Sequence, residues 1–103
     1  ASRAAMVAAS KTMAGEVGPN GIRVNIVTPG FTEGEDLDAM FQRMATSSGI
    51  SPGELSERVA REAMLRRHVS PHDIAEAVLF LASDRGRNIT ASEIHVTAGA
   101  AMP

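Results

Sequence analysis

The chain has 103 residues, 44% hydrophobic and 3% aromatic, with no cysteine and a formal net charge of −2. This length allows one domain at most. The acidic balance argues against a nucleic-acid partner. Without a long apolar run or a signal peptide, a membrane or secreted protein has no support. The absence of cysteine excludes disulfides and thiolate chemistry. We therefore expect a cytoplasmic protein that binds neither nucleic acid nor membrane.

Residues 1–17 are rich in alanine on all sides, which predicts a helix that packs closely on two faces. The sequence Gly-Pro-Asn-Gly at 18–21 predicts the end of this helix and a turn. Apolar residues then alternate over 22–28, a pattern typical of a mostly buried strand. Pro29 and Gly30 end this strand, because proline lacks the ladder donor and glycine permits backbone conformations closed to other residues.

Apolar residues at 37–45 follow the i, i+3, i+4, i+7 spacing of a short amphipathic helix. The sequences SPGE at 51–54 and SPHD at 70–73 each predict a helix start, with serine as N-cap and proline next. A turn at 83–88 precedes a second strand at 93–97. A strand, crossover helices and a second strand predict a parallel βαβ unit, which is too small a sheet to stand alone. We therefore expect part of a larger α/β fold.

The three histidines do not predict a metal site. His68 and His72 are four residues apart, but the Ser-Pro pair between them interrupts the helix that would align them. His95 lies in the second predicted strand. We expect no bound metal.

Two segments of the sequence resemble a known family. The sequence ASRAAMVAASKTMAGEVGPNGIRVNIVTPGF at 1–31, followed by SPHDIAEAVLFLASDRGRNITASEIHVTAG at 70–99, looks like the C-terminal part of a short-chain dehydrogenase/reductase. The resemblance implies that residues 1–103 are the C-terminal part of one Rossmann-type domain with a doubly wound parallel sheet. Two parallel strands and about four helices of that domain would lie in this chain. Residues 33–69 would form the variable substrate loop, or lid.

The resemblance also implies a nicotinamide dinucleotide, NAD or NADP, across the carboxyl ends of the strands. Backbone groups around Pro29, Gly30, Phe31 and Thr32 would bind the nicotinamide carboxamide, and glycine would let the main chain approach the ring. Taken alone, the Pro-Gly pair favours the simpler interpretation, the end of a strand. Within the longer match, the cofactor-binding interpretation is favoured.

Arg3 occupies the position of the family's catalytic lysine. The family motif is Y-x-A-S-K, and Ala1-Ser2-Arg3 matches its last three positions, so the tyrosine is expected two residues before Ala1. In the family, the lysine binds the ribose hydroxyls and lowers the pKa of that tyrosine. Arginine keeps the charge but is a planar fork, so the exchange is not conservative. Arg3 is therefore a candidate for both catalysis and cofactor binding; the alternative is a surface residue in the first turn of a helix.

The lid of the family covers the substrate. Met40, Phe41 and Met44 would give it an adaptable apolar wall for substrate binding. The alternative is ordinary helix packing, for which the same spacing is typical.

Other positions depart from the family pattern. Position 34 is Gly where the family usually has threonine, Ile-Thr-Ala at 89–91 replaces the family's I-T-G, and Val-Thr-Ala-Gly at 96–99 replaces V-D-G-G. The glycine-rich phosphate turn and the catalytic serine are expected upstream of this chain.

Two functions follow from the resemblance. The first is the C-terminal part of an NAD(P)-dependent oxidoreductase that transfers hydride between a nicotinamide and a small alcohol or carbonyl substrate, with this chain alone inactive. The second is a non-enzymatic scaffold fragment or interaction module. The incomplete sheet predicts a homo-oligomer, or dependence on a missing N-terminal half.

Overall fold

A computed structural model of the chain describes residues 2–101. Its helices and strands are, in chain order, α1 (Arg3–Val17), β1 (Ile26–Pro29), α2 (Glu35–Ser48), α3 (Pro52–Glu62), α4 (Pro71–Ala82) and β2 (Glu93–Val96). The α/β fold class predicted from the sequence, with two strands and about four helices, is confirmed.

The chain divides into two compact units. The first unit comprises Ala1–Thr28 with Ala75–His95, and the second comprises Pro29–Ile74 with Val96–Pro103. That residues 1–103 form part of one domain remains a prediction.

The strands β1 and β2 are hydrogen-bonded neighbours. In the first unit, the amide of Ile26 donates to the carbonyl of Ser92 over 2.9 Å. In the second unit, the amide of Gly30 donates to the carbonyl of Val96, also over 2.9 Å. The paired positions advance in the same direction along both strands, so the strands are parallel. The predicted βαβ arrangement is therefore confirmed.

The strand predicted over 22–28 is wrong at its N-terminal end, because β1 begins only at Ile26. It is also less buried than predicted, since its residues are half-buried or exposed. The residues before β1 bond to the loop that precedes β2. The amide of Val24 donates to Thr90 Oγ1 over 3.1 Å, and the Asn25 side chain accepts from the amide of Ser92 over 3.1 Å. Side-chain oxygens of Thr90 and Asn25 thus replace main-chain acceptors at these positions. The main-chain pairing of β1 with the neighbouring segment begins only at Ile26.

The helix starts predicted from serine and proline are confirmed for α3 and α4. The hydroxyl of Ser51 accepts a hydrogen bond from the amide of Glu54 over 3.2 Å. At α4 the bonds are reciprocal. Ser70 Oγ accepts from the amide of Asp73 over 3.2 Å, and the Asp73 carboxylate accepts from the amide of Ser70 over 2.9 Å. This backbone donor lowers the pKa of the Asp73 carboxyl. Such caps satisfy N–H groups that a helix leaves unpaired.

Few apolar side chains are buried among the described residues. The buried ones are Ala14 and Leu81 in the first unit, and Phe41, Leu55, Ala63 and Val69 in the second. Nine large apolar side chains are exposed instead: Met6, Met13, Ile22, Met44, Met64, Leu65, Val78, Leu79 and Phe80. The close packing of α1 on two faces predicted from the sequence is not formed within residues 2–101, since Met6 and Met13 are each 52% exposed.

No helix within residues 2–101 combines the length and the apolar character needed to cross a bilayer. In the same range, no group of three or more His, Cys, Asp or Glu side chains is arranged to hold a metal ion.

Two of the departures from the family pattern lie at positions with a strained backbone. Ala91 and Ala98 stand where the family has glycine, and both have left-handed backbones, with φ of 58° and 55°. Hydrogen bonds hold both residues in place: the Ala91 amide donates to the carbonyl of Val24 over 2.8 Å, and the Ala98 carbonyl accepts from Leu65 over 2.9 Å. A residue with a Cβ atom is strained in this region, and glycine is not.

We predict that Ala91→Gly and Ala98→Gly each raise the free energy of unfolding by about 0.5–1 kcal/mol. Relief of the left-handed strain exceeds the greater flexibility of glycine in the unfolded chain. Ala75→Gly, at an exposed position within α4, is the matched control, and it should lower the free energy by about 1 kcal/mol. Denaturant unfolding of the three variants measures the differences. A loss of stability at both 91 and 98 would contradict the strain assignment.

Candidate functional site

Arg3 lies in the first turn of α1 and forms an ion pair with the first residue of β2. The helix starts at this position because Ser2 Oγ caps it, accepting from the amide of Ala5 over 3.2 Å. Arg3 Nε and Nη2 both donate to Oε2 of Glu93, over 2.9 and 2.8 Å. The side chains of Arg3 and Glu93 are 32% and 20% exposed. The pair is thus partly shielded from water, which strengthens it relative to a fully solvated pair.

Two further side chains complete this cluster, which we call the Arg3 cluster (Arg3, Thr28, Glu93 and His95). Thr28 Oγ1 donates to Glu93 Oε2 over 2.6 Å, and Arg3 Nη2 lies 3.0 Å from Nδ1 of His95. The hydrogen bond from Thr28, followed by that from Arg3, holds the pKa of the Glu93 carboxyl below its usual value. Glu93 is therefore ionised at neutral pH and neutralises the positive charge of Arg3 locally.

One nitrogen of the Arg3 side chain has no hydrogen-bond partner within residues 2–101. Among the hydrogen bonds of residues 2–101, those of the Arg3 side chain involve Nε and Nη2 and none involves Nη1. A groove of about 450 Å³ borders Arg3, Glu93 and Lys11. A hydroxyl-bearing ligand could therefore accept a hydrogen bond from Arg3 Nη1 without breaking the ion pair.

The segment after β1 contains the four residues predicted to contact the nicotinamide. A Cβ atom on Gly30 would lie 2.7 Å from Cα of Thr97, so glycine is required here by the approach of the neighbouring chain itself. Thr32 Oγ1 donates back to the carbonyl of Gly30 over 3.0 Å. Within the described part of the chain, no hydrogen bond has the amide of Phe31 or Thr32 as its donor. These two half-buried residues therefore offer unpaired N–H groups, which fit a carbonyl acceptor such as a carboxamide. Pro29 is exposed.

The residues predicted to bind substrate lie on α2. Phe41 is only 3% exposed, and its ring centroid lies 5.8 Å from that of His68. Met40 is half-buried, and Met44 is 39% exposed. Phe41 is thus packed within the second unit, while Met44 is reachable from solvent. Their role toward a substrate remains a prediction.

The structure assembles partners that the sequence did not indicate. Arg3 belongs to the first unit, and the segment 29–32 and α2 belong to the second. The sequence alone does not indicate Glu93, Thr28 and His95 as partners of Arg3. Alternation along a strand does put Glu93 and His95 on one face, but only the register with β1 and the position of α1 bring them to Arg3. The sequence likewise gives no signal for the contacts that His68 makes with Phe31 and Phe41.

Comparisons with known proteins identify the family of this chain. The family model described as enoyl-(acyl carrier protein) reductase matches residues 1–101. The chain is 36% identical over 104 residues to 3-oxoacyl-[acyl-carrier-protein] reductase FabG of Vibrio harveyi, which covers 99% of this chain and 37% of that protein.

Two solved structures are similar in fold. A short chain dehydrogenase family protein of Francisella tularensis superposes with a TM-score of 0.89 at 32% identity, covering 94% of this chain and 40% of that one. L-sorbose reductase of Gluconobacter frateurii, complexed with NADPH and L-sorbose, superposes with a TM-score of 0.86 at 30% identity, covering 97% and 38%. The chain spans well under half the length of each of these relatives. It belongs to the short-chain dehydrogenase/reductase family, an oxidoreductase family with a Rossmann-type fold.

Proposed function

We propose that this chain is the C-terminal part of an NAD(P)-dependent oxidoreductase that moves hydride between a nicotinamide and a small alcohol or carbonyl substrate. The observation that carries this proposal is the pair of amides at Phe31 and Thr32, which have no acceptor among the described residues and directly follow Gly30, the residue after β1. Unpaired N–H groups suit the carbonyl oxygen of a carboxamide. The NADPH bound to L-sorbose reductase supports a nicotinamide dinucleotide in this family.

Each unit contains residues of this chain that are proposed to bind the dinucleotide. The main chain of Gly30, Phe31 and Thr32 would bind the nicotinamide carboxamide, and Arg3 Nη1 would donate to a ribose hydroxyl. When bound, the dinucleotide supplies or accepts the hydride. The Glu93 carboxylate keeps the Arg3 side chain in one orientation, because two of the arginine N–H groups donate to a single oxygen.

Residues 33–69 would act as the lid over the substrate. Met40, Phe41 and Met44 would give this segment an apolar wall, with Met44 the member that solvent reaches. An apolar wall with adaptable methionines favours a substrate whose nonreacting part is apolar. The exposed apolar side chains of α1 and α4 support association with a second copy or with an N-terminal half of the same domain.

One observation favours the alternative, a non-enzymatic scaffold of the same family. The charge of Arg3 is already paired with Glu93. A paired cation lowers the pKa of a neighbouring phenol less than a free ammonium does. If the reaction depends on that effect, a protein with this pair would be a poor catalyst.

We expect the protein expressed from its complete coding sequence to bind NADH or NADPH with micromolar affinity, and residues 1–103 alone to bind either far more weakly. The phosphate-binding turn of the family is absent from these residues. Isothermal titration calorimetry of both proteins with both dinucleotides makes the comparison. Failure of the complete protein to bind would refute the proposed function, whereas micromolar binding by residues 1–103 would refute the proposed need for further residues.

Arg3→Lys in the complete protein should raise kcat by about tenfold and change the KM for substrate much less. We expect the compact lysine ammonium to lower the pKa of the proton-transferring group by about one unit more than the planar guanidinium does. Steady-state rates measured against pH test this, with Arg85→Lys, the same exchange at an exposed position of the turn before β2, as the control. An unchanged pH profile, or a lower kcat, would show that arginine is adapted to this position or unconnected to the reaction.

Glu93→Gln should destabilise the complete protein at neutral pH and have a diminishing effect as the pH falls. The pKa of Glu93 is lower in the folded chain than its ordinary value of 4.5. The contribution of the ionised carboxylate is therefore complete above that value and is lost as the pH falls through the folded pKa. Denaturant unfolding at several pH values, with Glu16→Gln at an exposed position of α1 as the control, measures it. A difference between wild type and Glu93→Gln that stays constant down to about pH 3 would disprove the role of the ionised carboxylate.

A further inference from the structure

His68 joins three parts of the second unit around one imidazole ring. The ring packs edge-on against Phe31, with centroids 6.4 Å apart and an interplanar angle of 69°. Its other aromatic neighbour is Phe41 of α2, at 5.8 Å and 36°. The ring nitrogen Nε2 reaches α3, where it lies 3.0 Å from the hydroxyl of Ser56 and 3.1 Å from the Ser56 carbonyl oxygen. His68 therefore links the segment after β1 to both helices of the region 33–69.

The hydrogen bonds of His68 leave one nitrogen unsatisfied. A carbonyl oxygen only accepts hydrogen bonds, so the contact with the Ser56 carbonyl places the proton on Nε2. Nδ1 is then an acceptor, and it is buried without a partner among the described residues. An apolar side chain of similar size would fill the space between the two phenylalanines without this cost. The histidine is thus costly for packing alone, and its Nε2 contact fixes the rotation of the ring against Phe31.

The residue that follows His68 holds the same segment through the main chain. The amide of Val69 donates to the carbonyl of Phe31 over 3.0 Å, and the amide of Glu33 donates to the carbonyl of Val69 over 2.8 Å. These two bonds bracket Thr32, which forms a parallel bridge with Val69. They leave the amides of Phe31 and Thr32 as the unpaired donors of the segment.

We infer that His68 is a positioning residue for the nicotinamide: by fixing Phe31 it orients the unpaired amides of Phe31 and Thr32, and it connects their orientation to α2 and α3. The inference rests on the proposed function, because it assigns those amides to the carboxamide. Ordering of the region 33–69 and binding of the nicotinamide would then stabilise each other, since both depend on the same ring.

The test uses His68→Leu in the protein expressed from its complete coding sequence. We expect the affinity for NADH or NADPH, whichever the wild type binds, to fall by about tenfold, with little change in melting temperature. Affinity for ADP-ribose, or its 2′-phosphate for an NADP-binding protein, should not change because it lacks the nicotinamide. General structural damage would weaken both ligands. His72→Leu, the same exchange at an exposed position of α4, should leave both affinities within about twofold.

The outcomes separate this inference from the proposed function. If the wild type binds no dinucleotide, both are overturned. If the wild type binds and His68→Leu binds equally well, or loses both ligands equally, only the inference on His68 is overturned. Should the variant fail to fold, amide hydrogen exchange of the wild type decides the question. NADH or NADPH should protect residues 30–33 and 67–70 together, and protection of 30–33 alone would overturn the coupling through His68.

Discussion

The parallel pairing of β1 with β2 is the constraint on which the candidate site depends. In the first unit, this register sets Thr28 beside Glu93, so that the threonine hydroxyl meets the carboxylate at 2.6 Å. In the second unit, it brings Gly30 so close to Thr97 that a Cβ atom has no room. A slip of one residue would turn Glu93 to the opposite face of the sheet and remove the partner of Arg3. The register therefore determines both the charge balance around Arg3 and the path of the chain after β1.

The Arg3 cluster shows how a substitution at a key position changes its electrostatic surroundings. A lysine at this position would present a compact ammonium, whereas arginine presents a planar fork with several donors. Here Nε and Nη2 both donate to Glu93, and Nη2 also lies 3.0 Å from His95 Nδ1, while Nη1 has no partner among the described residues. The cluster is thus better suited to orienting a side chain than to exerting a net positive charge.

The family's glycine positions show a second kind of adaptation. Ala91 and Ala98 adopt the left-handed backbone that glycine would adopt without strain. The hydrogen bonds to Val24 and from Leu65 hold these conformations in place. The fold therefore tolerates alanine at a cost in stability, which is why these departures from the pattern do not alter the architecture.

The sequence by itself determined the types of the elements, the starts of α3 and α4, and the family. Helix starts can be read because Ser51 and Ser70 bond to residues only three positions away, and the family can be read because its motifs keep their order and spacing. The N-terminal limit of β1, the pairing of Arg3 with Glu93 and the contacts of His68 were decided only by the tertiary structure. Arg3 and Glu93 are 90 residues apart in the chain, and no local pattern carries information on which distant side chains will meet. Their contact depends on the register of the sheet and the packing of α1, which are properties of the whole folded chain.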